Sequence, residues 1–222
     1  MTTLADIQRH IGVTADGLWG PNTAKAIAEA LGVPRAAPFQ PAEFFAGVKM
    51  RITPKLSQVQ VDSINAILRR MAGMPVQHVA YVLATAWHEA RFKPQREWGR
   101  GVGKAYGRKG RHGQPQYGRG LVQLTWDRNY EWADARLGLN GALLKNFDLA
   151  LRPDIAAEIL VVGMLEGAFA SNGKPLAHYG PDARGSFDYL RARQTVNIMD
   201  KASQIAGYAR KFESALREGG WR

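Results

Sequence analysis

The sequence predicts a mainly α-helical protein in which a small helical unit precedes a larger helical domain. Apolar residues recur at the three- and four-residue spacing of helices over most of the chain. Three prolines between residues 34 and 41 interrupt that pattern and indicate a linker, with room for a short helix before residue 50. We therefore divide the chain into residues 1–33, 34–49 and 50–222. The predicted helices are two within 3–33, then 59–71, 76–90, 126–137, 153–169 and 202–216.

Composition limits the chemistry that the chain can perform. There is no cysteine, so neither a disulfide nor a thiolate metal site can form. The five histidines are scattered, and none has the spacing of a zinc motif, so we expect no metal and no cofactor. The amino terminus lacks the features of a signal peptide, and the longest apolar runs are too short to cross a bilayer. We expect a monomer without a signal peptide.

The net charge of +11 lies entirely in the larger domain. Residues 1–49 carry four basic and four acidic side chains, which cancel. A basic field of this size favours encounter with polyanions such as nucleic acid, anionic lipid or an anionic bacterial envelope. The sign of the charge does not choose among these partners.

Glu89 is the first candidate catalytic residue. It ends the predicted apolar helix 76–90, where Trp87 and Phe92 would part-bury it and favour its protonated form. A protonated carboxylic acid is what a general acid needs to protonate a glycosidic oxygen. The simpler interpretation is that Glu89 only solvates a helix end.

Glu97 is the second candidate, eight residues later in a loop. A loop separation would let the two carboxyl groups lie far enough apart to admit a water molecule, which is the geometry of an inverting glycosidase. The alternative is a surface glutamate paired with Arg96 or Arg100.

Residues 98–126 contain no acidic residue and several arginines and lysines, and eight of the 23 residues from 98 to 120 are glycine. Gly/Arg-rich tracts bind single-stranded nucleic acid, but few aromatic residues are interleaved here, so we expect no nucleic acid partner. A solvated loop is the simpler interpretation. A third is contact with carboxylates of peptide stems or with phosphates of a bacterial envelope.

The residues from Gly118 to Thr125 predict a turn that leads into a short strand. Alternation would place Gln123 and Thr125 on one side of this strand and Leu124 on the other. Amide and hydroxyl groups on one face suit the hydroxyl and acetamido groups of sugars, and Thr125 could hold a water molecule. Asp127 begins the next helix, where capping is an adequate explanation for it.

The first 33 residues resemble the helical peptidoglycan-binding module found in many cell-wall hydrolases. The similarity lies in Ile7-Gln8, in the turn that begins at Asp16, and in a threonine near the start of the second helix. The simpler interpretation is that the aspartate and the glycines only form the turn, and that the tryptophan fills a small hydrophobic core. The residues that carry the resemblance in this turn and helix are Asp16, Gly17, Trp19, Gly20 and Thr23.

The larger domain resembles glycoside hydrolase family 19, which contains chitinases and the related endolysins of phages that infect Gram-negative bacteria. The matching residues are His88-Glu89, Glu97, the stretch from Tyr117 to Tyr130, and Arg193 with Val196-Asn197. The resemblance spans roughly residues 50–222. It implies a lysozyme-like, two-lobed helical catalytic domain with a small β-hairpin at its cleft.

The resemblance also implies roles for individual residues. Glu89 would be the general acid, Glu97 the general base, and Thr125 the residue that helps to hold the nucleophilic water. Arg193 would support the carboxylates. The other expected substrate-binding residues are His88, Tyr117, Gln123, Asn129, Tyr130 and Asn197.

Departures from the chitinase pattern favour the endolysin branch. After His-Glu the chain continues with Ala90-Arg91-Phe92 rather than with threonine and paired glycines, and Ile198-Met199 replace a late glycine pair. We therefore expect an endolysin of lysozyme or N-acetylmuramidase type that hydrolyses the glycan backbone of peptidoglycan. It would remain in the host cytoplasm until another protein, such as a holin, releases it to the cell wall. A virion-associated lysin would have the same chemistry.

Two other functions stay open at this point. A chitinase acting on N-acetylglucosamine polymers would use the same residues. A wall-binding protein without catalysis would use the carboxylates only structurally. The expected partner is peptidoglycan, with the anionic outer-membrane surface as a second candidate.

Overall fold

The computed structural model describes residues 2–15, 21–31, 38–169 and 173–221. The chain forms two compact units, Met1–Phe39 and Gln40–Arg222. Both are built mainly from helices, so the mainly α class is confirmed. No helix in the described part of the chain is long and apolar enough to cross a membrane.

The first unit contains the helices α1 (Leu4–His10) and α2 (Pro21–Ala30). Gln8 on α1 donates a hydrogen bond from Nε2 to Oγ1 of Thr23 on α2, at 3.0 Å, and both side chains are buried. Thr23 therefore joins the two helices. The other residues of the predicted wall-binding turn, namely Asp16, Gly17, Trp19 and Gly20, lie outside the described residues.

The described part of the second unit contains seven α-helices and a two-stranded sheet. The first of its helices belongs to a region that the sequence assigned to the linker. The helices are α3 (Pro41–Arg51), α4 (Gln58–Arg70), α5 (Val76–Ala90), α6 (Asp127–Arg136), α7 (Ala142–Lys145), α8 (Pro153–Glu166) and α9 (Ala202–Glu218), and the strands are β1 (Gln95–Arg96) and β2 (Arg119–Gly120).

Helix α5 forms the centre of the second unit. Its side chains are buried on all sides along most of its length, because α4, α8 and α9 all pack against it. Helix α9 is amphipathic and presents Ile205, Ala209, Phe212 and Leu216 to the core. A helix that is apolar all round requires such a cage of neighbours. Glu89 lies on the last turn of this central helix, so the core fixes its position.

A hydrophobic cluster beside α8 supports the turn that follows β2. Leu124 contributes to the cluster from this turn, Tyr130 from α6 and Leu143 from α7. The rings of Tyr130 and Phe147 stack face to face, with centroids 3.8 Å apart. The cluster therefore anchors the residues between β2 and α6, which include Gln123 and Thr125.

The predicted strand after Gly120 is wrong. Strand β2 pairs antiparallel with β1, and the chain then turns back on itself, with mutual hydrogen bonds between the backbones of Arg119 and Leu124. Leu121 and Leu124 are both buried, which a two-residue alternation cannot achieve. Gln123 completes the turn in the left-handed region, with φ of 56°.

Helix α3 packs closely on α9. The backbone N–H of Gln40 donates to Gly219 O at 2.7 Å, and Arg51 pairs with Glu218. A β-carbon at Gly47 would lie 2.9 Å from the β-carbon of Ala215, so only glycine permits this approach.

We predict that Gly47→Ala lowers the free energy of unfolding by roughly 1–3 kcal/mol, because the added methyl group overpacks the contact between α3 and α9. The matched control is Gly207→Ala, where a β-carbon meets nothing within 4 Å. Alanine is the better helix former, so the control gains up to about 1 kcal/mol. Urea unfolding followed by circular dichroism measures both, and equal stability of the two variants would contradict the close packing.

Candidate active site

Glu89 is held at a helix end that two left-handed residues close. Arg91 and Phe92 have φ of 50° and 58°, and the N–H of Phe92 donates back to Ala86 O at 3.2 Å. The Phe92 ring is fully buried against Phe212 of α9. This anchor fixes the last turn of α5 and leaves the Glu89 carboxyl group partly open to solvent.

The carboxyl group of Glu89 contacts a buried arginine from a distant part of the chain. Arg193 Nη1 donates to Glu89 Oε1 at 2.8 Å, across 104 residues of sequence. The Arg193 side chain is 3% exposed, and its Nε donates to Asp200 O at 2.9 Å. A buried guanidinium requires such partners. The interpretation that Glu89 only solvates a helix end is therefore wrong.

His88 and Asn197 lie on either side of this pair in sequence. Burial lowers the pKa of His88, against the opposing influence of the neighbouring Glu89. Asn197 is exposed, and its N–H donates to Arg193 O at 3.0 Å. Its side-chain oxygen accepts from the N–H of Ile198 at 2.7 Å, which leaves the amide group as the part that can meet a ligand.

Glu97 follows β1 directly and is held through both carboxylate oxygens. Tyr106 donates its hydroxyl to Oε1 at 2.9 Å, and the N–H of Gly118 donates to Oε2 at 3.2 Å. The hydrogen bond to Glu97 raises the pKa of Tyr106. Arg96 instead pairs with Asp148, at 2.6 Å. The alternative in which Glu97 pairs with Arg96 is therefore wrong.

Gly118 brings Glu97 next to the turn that follows β2. A β-carbon at Gly118 would lie 2.9 Å from Gln123 Oε1 and 3.3 Å from Thr125 Oγ1. Because the N–H of this glycine binds Glu97, the carboxylate, the amide and the hydroxyl all border one residue. The structure thus places Gln123, Thr125 and Glu97 together.

Gln123, Thr125 and Asn129 also line one cleft of about 480 Å³. Thr125 donates its hydroxyl proton to Gln123 O at 2.7 Å, so toward a ligand or water its oxygen acts as an acceptor. Asn129 Nδ2 donates to Thr125 O at 2.7 Å and fixes the turn to α6. Val196 lines the same cleft and lies between Arg193 and Asn197 in sequence.

Two expected sugar-binding residues are core residues instead. Tyr130 has no exposed surface, and its hydroxyl donates to Tyr117 O at 2.9 Å. Tyr117 is 7% exposed, and the Arg119 guanidinium lies over its ring at 3.8 Å. The predicted contact of Tyr130 with substrate is therefore wrong, since its ring is stacked inside the cluster beside α8, and Tyr117 contributes mainly to packing.

Arg119 holds the hairpin in place from inside the protein. It is 3% exposed, and its Nη1 donates to Pro115 O and Tyr117 O, at 3.0 and 2.9 Å. Its Nε donates to Asp148 Oδ1 at 2.7 Å. Burial acts to raise the pKa of Asp148, but hydrogen bonds from Arg96 and Arg119 outweigh it, so this pKa lies below its ordinary value.

Several residues at the site were not assigned to it from sequence. Tyr106 and Gly118, which hold Glu97, come from a glycine-rich segment with no periodic pattern. Trp126 and Arg128 line cavities near Thr125, and the sequence indicated them only by their position within the matching stretch from Tyr117 to Tyr130. Across the described residues, no group of histidine, aspartate and glutamate side chains could hold a metal ion.

Comparisons of the chain with protein-family models, with curated protein sequences and with solved structures give no match. The resemblance to glycoside hydrolase family 19 therefore rests on the motif residues themselves. The contacts of Glu89 and Glu97 are independent of that resemblance, because they are properties of the folded chain.

We predict that Asp148→Asn lowers the free energy of unfolding by roughly 1–3 kcal/mol at neutral pH, because Arg119 and Arg96 lose a charged acceptor. The pKa of Asp148 is lowered by folding, so its contribution is present above the unfolded value of about 3.9 and is lost as the pH falls through the folded value. The difference from wild type should therefore shrink between pH 5 and pH 2 in urea unfolding.

The matched control for this prediction is Asp154→Asn, which removes the charge from an exposed pair with Arg152. Exposed pairs contribute about 0–1 kcal/mol, so this variant should stay close to wild type at neutral pH. A destabilisation by Asp148→Asn that stays constant over the whole pH range would contradict the assigned ion pairs.

Proposed function

We propose that the protein is a glycoside hydrolase that cleaves the glycan backbone of bacterial peptidoglycan with two carboxylates. The observation that carries the proposal is the contact between Glu89 and the buried Arg193. Two motifs 104 residues apart, which the family resemblance links in one active site, meet in the folded chain.

In the proposed mechanism Glu89 is the general acid. Its carboxyl group would protonate the glycosidic oxygen as the bond to the sugar breaks, and Arg193 would fix the orientation of the group throughout. General acid catalysis of this kind contributes about 10²–10⁴-fold to a rate. The partly open surface of Glu89 supports this role, since a fully buried carboxyl group could not reach a substrate.

Glu97 is the proposed general base. It would accept a proton from a water molecule that attacks the opposite face of the sugar ring, as in inverting glycosidases. The Thr125 oxygen could accept the second hydrogen of that water, because its own proton is already donated to Gln123 O. Glu97 and the Thr125 oxygen both lie next to Gly118, so the two proton acceptors are close to each other.

The surroundings of the carboxylates fit a sugar polymer. The cleft beside Gln123, Thr125 and Asn129 presents amide and hydroxyl groups on a turn rather than an apolar surface. In the proposed two-lobed arrangement, α5 and the helices around it form one lobe, which carries the acid Glu89. The β1–β2 sheet and the cluster beside α8 form the other lobe, which carries the base Glu97. The glycan would lie between these two parts.

The biological role that we propose is that of a phage endolysin of muramidase type. The first unit would bind peptidoglycan and keep the enzyme on the wall. The net charge of +11 would favour approach to an anionic envelope. Such an enzyme acts after another protein has opened the inner membrane.

We predict that Glu89→Gln and Glu97→Gln each reduce glycan hydrolysis by about 10²–10⁴-fold, because each loses the group that transfers a proton. The assay is the loss of turbidity of Gram-negative cells stripped of their outer membrane, with identification of the new reducing-end sugar. The matched control is Glu158→Gln, which removes a carboxylate from an exposed pair with Arg70 and should leave activity unchanged.

The outcomes separate the candidate functions. A muramic acid reducing end supports a muramidase. A glucosamine reducing end supports a peptidoglycan hydrolase that cleaves the other glycosidic bond of the glycan. Hydrolysis of chitin oligomers without hydrolysis of peptidoglycan would show that the enzyme is a chitinase. Full lysis by the Glu89→Gln protein would rule out the two-carboxylate mechanism.

A further inference from the structure

A second cavity shares Arg128 with the proposed cleft. It has a volume of about 460 Å³ and is lined by Arg111, Gln116, Trp126, Asp127 and Arg128. Arg128 also lines the cleft with Gln123, Thr125 and Asn129. One residue therefore borders both spaces, and we call the second one the side pocket.

The charge available in the side pocket comes from Arg128. Arg111 is occupied, because it binds Glu131 at 2.8 Å and its Nε lies 4.0 Å from Asp127. Arg128 is exposed and has no ion-pair or hydrogen-bond partner for its side chain within the described part of the chain. It is therefore the cation that a ligand would meet.

The neighbouring polar groups are also donors. Gln116 uses its side-chain oxygen to accept from the N–H of Asp127 at 3.0 Å, so its amide group remains available. The indole N–H of Trp126 makes no hydrogen bond to the described residues. Three donor groups around one cavity suit the carboxylate and carbonyl oxygens of a ligand.

Trp126 occupies a conformation that side chains rarely adopt. Its φ is 73° and its ψ is 139°. The N–H of Trp126 donates to Gln116 O, the N–H of the next residue, Asp127, donates to Gln116 Oε1, and both hydrogen bonds are 3.0 Å long. The constraint leaves the indole partly exposed, with its ring against Tyr106 at 5.6 Å between centroids. Since Tyr106 binds Glu97, the side pocket is connected to the proposed base through two packed rings.

We propose that the side pocket binds a short peptide branch with free carboxylates, attached to the glycan that occupies the cleft. Arg128 would bind a carboxylate, and Gln116 and Trp126 would donate to peptide carbonyl oxygens. This inference rests on the proposed function. It identifies the substrate as a peptide-bearing glycan rather than a bare sugar polymer, and Arg128 as the residue that distinguishes them.

The test compares two forms of one substrate. Soluble peptidoglycan strands are assayed with their peptides intact and after an amidase has removed them. Wild type should hydrolyse the intact strands with about tenfold higher kcat/KM. Arg128→Gln should remove that preference, by raising KM about tenfold more for the intact strands than for the stripped strands. Arg128→Lys should retain part of the preference, and Arg108→Gln, an exposed cation outside the pocket, should retain all of it.

A second measurement keeps the inference separate from the proposed function. The released peptide is titrated into wild type and Arg128→Gln by isothermal calorimetry. Binding by wild type that is lost in the variant supports the pocket even if neither strand is hydrolysed, an outcome that would overturn the proposed function alone. Equal losses on both strands, an unchanged preference in Arg128→Gln, or no peptide binding by wild type would overturn the inference.

Discussion

The buried guanidinium of Arg193 is the constraint on which the proposed site depends. A charge with 3% of its side chain exposed must have partners, and Glu89 is one of them. Removing one member of a buried pair costs about 3–5 kcal/mol because the other charge remains unpaired. The same contact ties the central helix α5 to the segment Arg191–Thr195. Stability and the position of the proposed acid are therefore set by one interaction.

The second carboxylate depends on a different kind of support. Among the described residues, Glu97 has no arginine partner and is held by a phenol and a backbone N–H. The charges nearby are used elsewhere, because Arg96 and Arg119 both bind Asp148 and thereby fasten the hairpin. The two carboxylates thus have unlike surroundings, one beside a guanidinium and one beside neutral donors.

The long helices were predictable because their apolar spacing is regular. Helix α5 has the predicted bounds, and α9 extends the prediction by two residues. The turn after β2 was not predictable, because Leu121 and Leu124 are buried by tertiary packing and Gln123 takes a left-handed conformation that its residue type does not announce. Tyr130 was predicted to bind substrate because it lies in the matching stretch from Tyr117 to Tyr130. A sequence motif does not show whether an aromatic ring is buried in the core or exposed at the surface. The contact between Glu89 and Arg193 was expected from the resemblance alone, since no periodicity joins residues so far apart.

The central claim is that Glu89 and Glu97 act as acid and base across a water molecule. The most direct test is the configuration of the sugar end that hydrolysis first releases, followed by proton NMR during the first minutes of reaction with peptidoglycan strands. Inversion at a β-linkage predicts that the α anomer appears first and then equilibrates. Initial release of the β anomer would show retention and contradict the role of Glu97 as a base. The absence of any new reducing end would contradict the assignment of hydrolase activity.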